Sequence, residues 1–469
     1  MAAKQPKKQN VGFWSLVVII FSNVGTGPAA LEGIIGSAGI TLGIIGMIVF
    51  PFFWGYVQAF LSAEMCLQYQ TINGGLPAWC LRQNNRALAF NTAVWMIAIE
   101  ASTAALVSEA TVAYLQTVWP SFHAYGPRLG LSILIIIVSF VVNYVSINFV
   151  AAVFKALSVF TIVVFAILVG YSVPSIDWSR GVDTSFTKDY KSIDYALLVN
   201  LLIFNSAGFD AGSSIISYVD DPRKTVPAAM LGVGFASTAL YIVTLFFPYI
   251  ASRDAREDWQ AGHLGTVALF LGGRSLQVMV IFACAFVNLQ IYSVSLQTAA
   301  YTVASMSEHN IFPTEVGFKR LKLNLTRRTP RGTPSHALVL CCALSTVFAL
   351  APFVVNLAIG SVLYGAVMIV QVVCIMLLDR NTATIFVPQK RAWRLVLIAI
   401  PITLASWTIS TQQSMVLFAM STAIALIGFL SLALNFEELV DKSTSEPSLQ
   451  GSGSDDVRKR QARALSIDL

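Results

Sequence analysis

Hydrophobic residues occur in long runs along this chain of 469 residues, and short polar stretches separate the runs. Twelve runs approach or exceed the ~20 residues that a transmembrane helix needs. The pattern therefore predicts an all-α membrane protein with 12 transmembrane helices. The predicted helices cover residues 13–37, 41–67, 88–118, 128–148, 151–173, 194–219, 227–251, 274–305, 335–353, 356–378, 393–411 and 413–435.

The basic residues predict the orientation of these helices. Most of the 30 Lys and Arg residues fall on the cytosolic side when the N-terminus is placed there, and the densest patch, 319–331, lies between helices 8 and 9. Because cytosolic loops are enriched in Lys and Arg, both termini are expected to be cytosolic. We predict a cytosolic N-terminal tail (1–12), a twelve-helix domain (13–435) and a disordered C-terminal tail (436–469) rich in Ser, Gly and charge.

This orientation predicts which loops a membrane-impermeant thiol reagent reaches in intact cells. A cysteine introduced at Ser185, in the loop after helix 5, should be labelled from outside. A cysteine at Thr329, in the basic loop after helix 8, should be labelled only after the cells are permeabilised. Labelling of Thr329→Cys in intact cells would reverse the predicted orientation.

The overall composition narrows the class of protein. The chain is 56% hydrophobic and 12% charged, with a mean hydropathy of +0.70. A soluble protein could not keep so apolar a surface in water, and the net charge of +6 reports topology, so no nucleic-acid partner is predicted. The six Cys and four His show no metal-ligand spacing and no nucleophile–base–acid set. We therefore predict no metal, no cofactor and no enzymatic activity.

The first hydrophobic run contains a helix-breaking stretch followed by an acid. Gly25, Gly27 and Pro28 stand where an uninterrupted transmembrane helix would favour Leu or Val. Glycine adds backbone freedom and proline removes a hydrogen-bond donor, so we predict that the helix breaks here and restarts at Pro28. Backbone groups freed at membrane depth are stable only when they face protein or a water-filled cavity. Glu32 follows one turn later, and an acid at that depth indicates a substrate site.

A second interruption is predicted in the sixth run. Asn205, Ser206, Gly208 and Asp210 occur together in its middle, five helices after the first break. Paired interruptions in corresponding helices of two halves are typical of transporters built from inverted repeats. Because an acid inside a membrane segment is functional by default, Asp210 is predicted to bind substrate. Its alternative role is an N-cap for the resumed helix.

Short motifs in and beside the first nine predicted helices carry a family resemblance. They are Gly25-Thr-Gly-Pro-Ala-Ala-Leu-Glu32, Ser37-Ala-Gly39, Phe50-Pro51, Ala63-Glu64-Met65, Asn73-Gly-Gly75, Trp79, and residues 205–210, 220–228, 304–313 and 332–334. Together they resemble the amino acid–polyamine–organocation superfamily, and within it the polyamine transporters of plants and trypanosomatids. The resemblance implies a LeuT-like fold, a 5+5 inverted repeat with helices 1 and 6 broken near 25–28 and 205–210 and two additional helices. It also implies substrate contacts from helices 1, 3, 6 and 8.

Acids outnumber bases inside the predicted helices. The acids are Glu32, Glu64, Glu100, Glu109 and Asp210. Lys155 is the one basic residue well inside a predicted helix, and this imbalance predicts a cationic substrate, protons, or both. The resemblance implies that members carrying amino acids hold the substrate carboxylate with free amides at the helix-1 break. Here Pro28 removes one donor and Glu32 adds negative charge, so an amine would gain an ion pair where a carboxylate would be repelled.

The predicted substrate site combines both breaks with nearby acids and aromatic rings. The candidates are Gly25, Thr26, Gly27, Glu32, Glu100, Asn205, Gly208, Phe209, Asp210 and Tyr292. Phe209 and Tyr292 could hold an alkylammonium by cation–π contact, or they could simply pack. The candidates for a coupling proton are Glu32, Glu100, Asp210 and Lys155.

Several of these residues have structural alternatives. Glu100 could form a hydrogen bond to a neighbouring helix, and Glu109 could attract cations or bond a neighbour. Glu64 could have a structural role or form part of an inner gate. Some proton-coupled relatives place a lysine in helix 5 whose charge substitutes for a sodium ion, as the resemblance implies. Lys155 sits early in that helix, however, and could instead snorkel to the inner leaflet.

The expected function is secondary active transport of a polyamine, such as putrescine or spermidine, by alternating access and with proton coupling. Its expected partners are the polyamine cation, protons and the lipid bilayer. Two rivals stay open: an amino-acid permease or exchanger, including one selective for cationic amino acids, and a nutrient receptor that does not transport. The plasma membrane is the expected location, with a vesicle or organelle membrane as the alternative.

Overall fold

The computed structural model describes residues 10–25, 27, 31–181, 190–318 and 321–378. Within these residues the chain is mostly helical, as the hydrophobic runs predicted. The α-helices are α1 (Phe13–Val24), α2 (Glu32–Phe53), α3 (Gly55–Gln68), α4 (Gly75–Arg82), α5 (Arg86–Gln116), α6 (Tyr125–Val145), α7 (Ile147–Ser172), α8 (Tyr195–Asn205), α9 (Pro222–Ala251), α10 (His263–Glu308), α11 (Ser335–Phe348) and α12 (Phe353–Leu377). The 3₁₀ helices are Pro120–His123, Val173–Ser175, Trp178–Gly181, Tyr190–Ser192, Phe209–Tyr218 and Arg256–Asp258.

Eight helical stretches of the described chain are long and apolar enough to cross a membrane. They are Glu32–Gln68, Arg86–Gln116, Tyr125–Val145, Ile147–Ser175, Tyr195–Tyr218, Pro222–Ala251, His263–Glu308 and Val355–Leu377. Large apolar side chains are exposed on α6 and α7, among them Leu134, Ile137, Val159 and Val163. Because such a surface is stable in lipid and not in water, the chain is an integral membrane protein.

Part of the predicted architecture lies outside the described residues. This part includes predicted helices 11 and 12, at 393–411 and 413–435, together with the C-terminal tail from 436 and residues 1–9 of the N-terminal tail. The twelve-helix inverted repeat therefore stays a prediction.

Two of the long helices are interrupted at a glycine with non-helical backbone angles. Gly39 has φ +80 and divides α2 into a short first part and a longer second part that leads towards α3. Gly273 has φ +73 and divides α10 in the same way. Positive φ suits glycine because it lacks a Cβ atom. The prediction began helix 8 at residue 274, and it missed the helical stretch from His263 that precedes this glycine.

A small β-hairpin follows α10, and the all-α prediction missed it. Strand β1 (Glu315–Phe318) pairs antiparallel with β2 (Leu321–Asn324), with Glu315 opposite Asn324. Four-residue strands give too short an alternation of apolar and polar residues to stand out beside long hydrophobic runs. The loop after the hairpin is fastened by Arg328, which donates to the Glu308 carboxylate at 2.8 Å and to the Tyr218 hydroxyl at 3.1 Å.

The interior of the bundle is built around α5 and α10. α5 contacts α10, α11 and α12, while α1 contacts α7, α9 and α10. Burial in α10 is nearly continuous from Val287 to Ser307. A helix that is buried on all sides lies inside the protein. The end of α1 and the 3₁₀ helix Phe209–Tyr218 that follows α8 thereby lie next to α10.

Candidate substrate site at two interrupted helices

The first interruption lies between α1 and α2. α1 ends at Val24, Gly25 follows with φ +120, and α2 begins at Glu32. The Tyr241 hydroxyl of α9 lies 2.6 Å from the Val24 carbonyl oxygen and 3.0 Å from that of Gly25. It can therefore donate to a carbonyl that the end of the helix leaves free. A Cβ atom at Gly27 would clash with an aromatic ring of α7, so glycine is needed there.

The second interruption lies between α8 and the 3₁₀ helix Phe209–Tyr218. α8 ends at Asn205, and Gly208 precedes the 3₁₀ helix with φ +96. The Gly208 N–H donates to the Tyr364 hydroxyl of α12 at 3.0 Å, and the Asn23 side-chain amide of α1 donates to the Gly208 carbonyl at 3.1 Å. A hydrogen bond from the end of α1 thus joins the two interruptions directly.

A cavity of about 70 Å³ lies beside this junction. Residues of α1, α5, α8, α10 and α12 line it, together with the backbone that follows α8. Its polar lining includes Asn23, Glu100, Gly208, Asp210, Ser295 and Tyr364. One water molecule needs about 10–15 Å³ of such space, so the cavity holds roughly five to seven water-sized groups. A short linear ligand is of that size.

Two of the lining residues are acids. Glu100 lies within hydrogen-bonding reach of the Ser295 hydroxyl. It also lies close enough to Asp210 for the two negative charges to repel each other. Asp210 accepts a hydrogen bond of 3.3 Å from the side-chain amide of Gln58. None of the described lining residues is Lys, Arg or His, so these carboxyl groups have no fixed counter-ion in the cavity. An organic cation would be attracted, because charges interact strongly where water is scarce.

The cavity brings together three of the predicted substrate residues, Glu100, Gly208 and Asp210. The other two residues of the second interruption lie elsewhere: Asn205 and Phe209 line a separate cavity of about 20 Å³. The Asn205 side-chain amide donates to a backbone carbonyl of its own helix at 2.8 Å. These two positions therefore contribute to packing around the break rather than to the lining of the larger cavity.

The remaining neutral candidates do not line the cavity. Tyr292 is fully buried and lies near Cys341 and Cys342 of α11, which favours its packing alternative. Gly25 and Gly27 are buried at the first interruption. Thr26 lies outside the described residues.

The N-cap alternative for Asp210 does not fit the local backbone. Gly208 occupies the N-cap position of the 3₁₀ helix, and Asp210 is the second residue inside that helix. Its side chain instead reaches the Gln58 amide and the cavity.

Glu32 is fully buried but does not line this cavity. Its Oε1 accepts from the Tyr114 hydroxyl of α5 at 2.5 Å and from the Leu264 backbone N–H of α10 at 3.4 Å. Its Oε2 has no hydrogen-bond partner among the residues that the structure describes. The sequence pattern predicted that Glu32 and Asp210 share one site, whereas the structure gives the two acids different surroundings.

The other embedded charges have surroundings of their own. Lys155 is exposed on α7, which favours the snorkelling interpretation over a role in coupling. Glu109 forms an ion pair with Arg128 of α6. Glu64 is buried and accepts a hydrogen bond of 3.0 Å from Gln68, one turn along α3.

The sequence did not single out several residues of the site, among them the lining residues Asn23, Ser295 and Tyr364. It also missed Gln58, which bonds both Asp210 and Tyr364. Tyr364 lies in predicted helix 10, which hydropathy alone defined. Ser361 and Tyr364 are three residues apart, so they share one face of an apolar helix, and this spacing is the signal that could have found them. Gln58 is only 1% exposed. An amide inside an apolar run is the same kind of signal, because a buried polar group needs a partner.

Membrane-length helices that enclose a polar cavity at their interruptions are typical of membrane transporters. The model of the amino acid permease family matches residues 11–447. The chain belongs to this family, within the amino acid–polyamine–organocation superfamily, and is a transporter rather than an enzyme.

Plant proteins are among its relatives. A probable polyamine transporter of Arabidopsis thaliana is 28% identical over 312 residues, which cover 65% of this chain and 62% of the relative. Another probable polyamine transporter from the same plant is 25% identical over 433 residues, which cover 90% of this chain and 83% of the relative. A polyamine transporter of Oryza sativa subsp. japonica is 26% identical over 311 residues, which cover 65% of this chain and 56% of the relative. For the first and third of these, the match thus spans less than two thirds of the relative's length.

Proposed function

We propose that this chain is a secondary active transporter of polyamine cations such as putrescine and spermidine. The observation that carries the proposal is the cavity beside the two interruptions. Glu100 and Asp210 line it, and no basic side chain is among its described lining residues. The names of the plant relatives support the same substrate class.

The apolar part of the lining suits a polyamine as well. Aliphatic side chains from several helices line the cavity between the polar groups, namely Ile99, Leu106, Ile203, Ile291 and Leu357. A polyamine alternates ammonium groups with short methylene chains. Its ammonium groups would donate charge-assisted hydrogen bonds to Glu100 and Asp210, while its methylenes would contact the aliphatic residues.

Alternating access would use the two interruptions as hinges. A broken helix can change the angle between its parts without losing hydrogen bonds along either part. The unit formed by α1, the start of α2, α8 and the 3₁₀ helix Phe209–Tyr218 would rock against the other helices. This proposal includes the LeuT-like inverted repeat of twelve helices, cytosolic termini and a place in the plasma membrane.

Proton coupling is assigned to Glu32. An unpaired carboxylate deep inside a protein costs several kcal/mol in lost hydration. Glu32 is fully buried, and no ion pair involving it occurs in the part of the chain that the structure covers. A carboxyl group in such surroundings can carry a proton during the cycle, while Glu100 and Asp210 hold the amine. Transport of substrate and proton would then use separate sites.

Uptake into vesicles reconstituted with the purified protein tests the substrate class. We expect saturable uptake of labelled putrescine that spermidine inhibits and that arginine and lysine inhibit weakly. The family description favours an amino-acid permease as the rival, and this rival predicts that arginine or lysine competes at least as well as putrescine. Saturable binding of putrescine without flux would indicate a receptor.

The same vesicles test the coupling ion. An inward proton gradient should increase putrescine uptake, and a protonophore should abolish that increase, because a proton enters with each productive cycle. Uptake that responds to membrane potential alone, with no dependence on the proton gradient, would instead indicate a uniporter for cations.

A further inference from the structure

Tyr364 binds the backbone at the second interruption. Its hydroxyl oxygen accepts from the Gly208 N–H at 3.0 Å and from the Gln58 side-chain amide at 2.5 Å. A hydroxyl oxygen offers two acceptor positions, so both are occupied. The Gln58 amide also lies 3.3 Å from the Asp210 carboxylate, and it thereby links Tyr364 to the acid in the cavity.

Three nearby N–H groups already donate hydrogen bonds to other groups of the protein. The Asn23 amide donates to the Gly208 carbonyl at 3.1 Å, while Tyr364 takes the donors of Gly208 and Gln58. A ligand carboxylate binds best to free N–H donors, and at this junction it would meet the carboxyl group of Asp210 instead. A ligand ammonium group needs only acceptors, which Asp210 supplies.

We propose that Tyr364 is a specificity-determining residue that excludes ligands with a carboxylate by keeping the Gly208 N–H and the Gln58 amide occupied. The inference rests on the proposed function, since it explains how the cavity separates a diamine from an amino acid of the same length. Cadaverine and lysine are such a pair, because lysine differs from cadaverine only by its carboxylate.

Tyr364→Phe releases both donors with little change in shape. The phenyl ring keeps its place near the Trp54 ring, whose centroid lies 6.3 Å from that of Tyr364. The freed Gly208 N–H and Gln58 amide can then bond a ligand carboxylate. One hydrogen bond to a charged group corresponds to roughly tenfold or more in affinity. We therefore expect the preference for cadaverine over lysine to narrow by about tenfold.

The measurement is inhibition of labelled putrescine uptake by cadaverine and by lysine, in vesicles with equal amounts of folded protein. Tyr56→Phe is the matched control. Tyr56 is buried, its hydroxyl lies 3.4 Å from the Thr238 hydroxyl, and it is not among the described lining residues of the cavity. The control should keep the wild-type ratio of the two inhibition constants. If the ratio of the inhibition constants for cadaverine and lysine in Tyr364→Phe equals that of the wild type, the inference is overturned.

Lysine methyl ester tests the same inference in the wild-type protein, so the test does not depend on the folding of the variant. The ester keeps both amino groups and lacks the negative charge, so it should compete much better than lysine. An ester that competes no better than lysine would overturn the inference. A wild-type protein that prefers lysine to cadaverine would overturn the proposed function as well. A clear preference for cadaverine with an unchanged ratio in Tyr364→Phe would overturn the role of Tyr364 alone.

Discussion

Asp210→Asn should weaken the apparent affinity for putrescine by about 10- to 150-fold while leaving the protein folded. The carboxylate lines the cavity and has no basic partner among the described lining residues, so its charge is available to a ligand ammonium group. A hydrogen bond to a charged group contributes about 1.5–3 kcal/mol, which corresponds to that range of affinity. Asparagine keeps the side-chain size and one oxygen that can accept from the Gln58 amide. The measurement is saturation uptake at matched surface abundance.

Asp194→Asn is the matched control for this substitution. Asp194 is the N-cap of α8, and its carboxylate accepts from the Leu197 backbone N–H at 2.9 Å. Asn and Asp cap helices almost equally well, so this variant should transport normally. An unchanged half-saturation concentration in Asp210→Asn would show that Asp210 does not bind the amine, and Glu100 would become the principal acid of the cavity.

Glu32→Gln should abolish uptake driven by a proton gradient while preserving exchange of putrescine for putrescine. Glutamine resembles the protonated acid, and its oxygen can still accept from the Tyr114 hydroxyl and the Leu264 N–H. It cannot release a proton. Uptake with an inward proton gradient should therefore fall to the level seen without one. Exchange needs no net proton movement, and the cavity with Glu100 and Asp210 is unchanged.

Glu109→Gln provides the control for removing an acid from a membrane helix. Glu109 pairs with Arg128 and is not among the described lining residues of the cavity, so its loss should leave the response to the proton gradient intact. If Glu32→Gln still accumulates putrescine with the gradient, the coupling proton resides on another acid. If a folded Glu32→Gln protein loses exchange as well, Glu32 is required for substrate binding or for the conformational change itself.

The helix interruptions and the embedded acids of the site could be predicted from the sequence. The helices that end at Val24 and Asn205 are each followed within three residues by a glycine, and Gly25 and Gly208 both take positive φ in the structure. These effects depend on a few neighbouring residues, so reasoning from the chain can reach them. An acid inside a long apolar run is visible in the same way, which is how Glu100 and Asp210 became candidates.

Contacts between distant residues could not be predicted in this way. Tyr364 meets Gly208 across 156 positions of sequence, and Glu32 meets Leu264 across 232. Hydropathy gives the length of a helix but does not say which of its faces meets which neighbour. For this reason the prediction that Glu32 and Tyr292 line the substrate cavity was wrong, and the role of Tyr364 could not be seen from the sequence.

Equilibrium binding of labelled putrescine to the purified protein tests the central claim most directly, because it requires neither flux nor a gradient. The wild-type protein should bind putrescine saturably, with spermidine displacing the label. The double variant Glu100→Gln/Asp210→Asn should lose this binding while its thermal unfolding temperature stays near that of the wild type, since both substitutions preserve side-chain size. Putrescine binding of wild-type strength in the folded double variant would contradict the assignment of this cavity as the amine site.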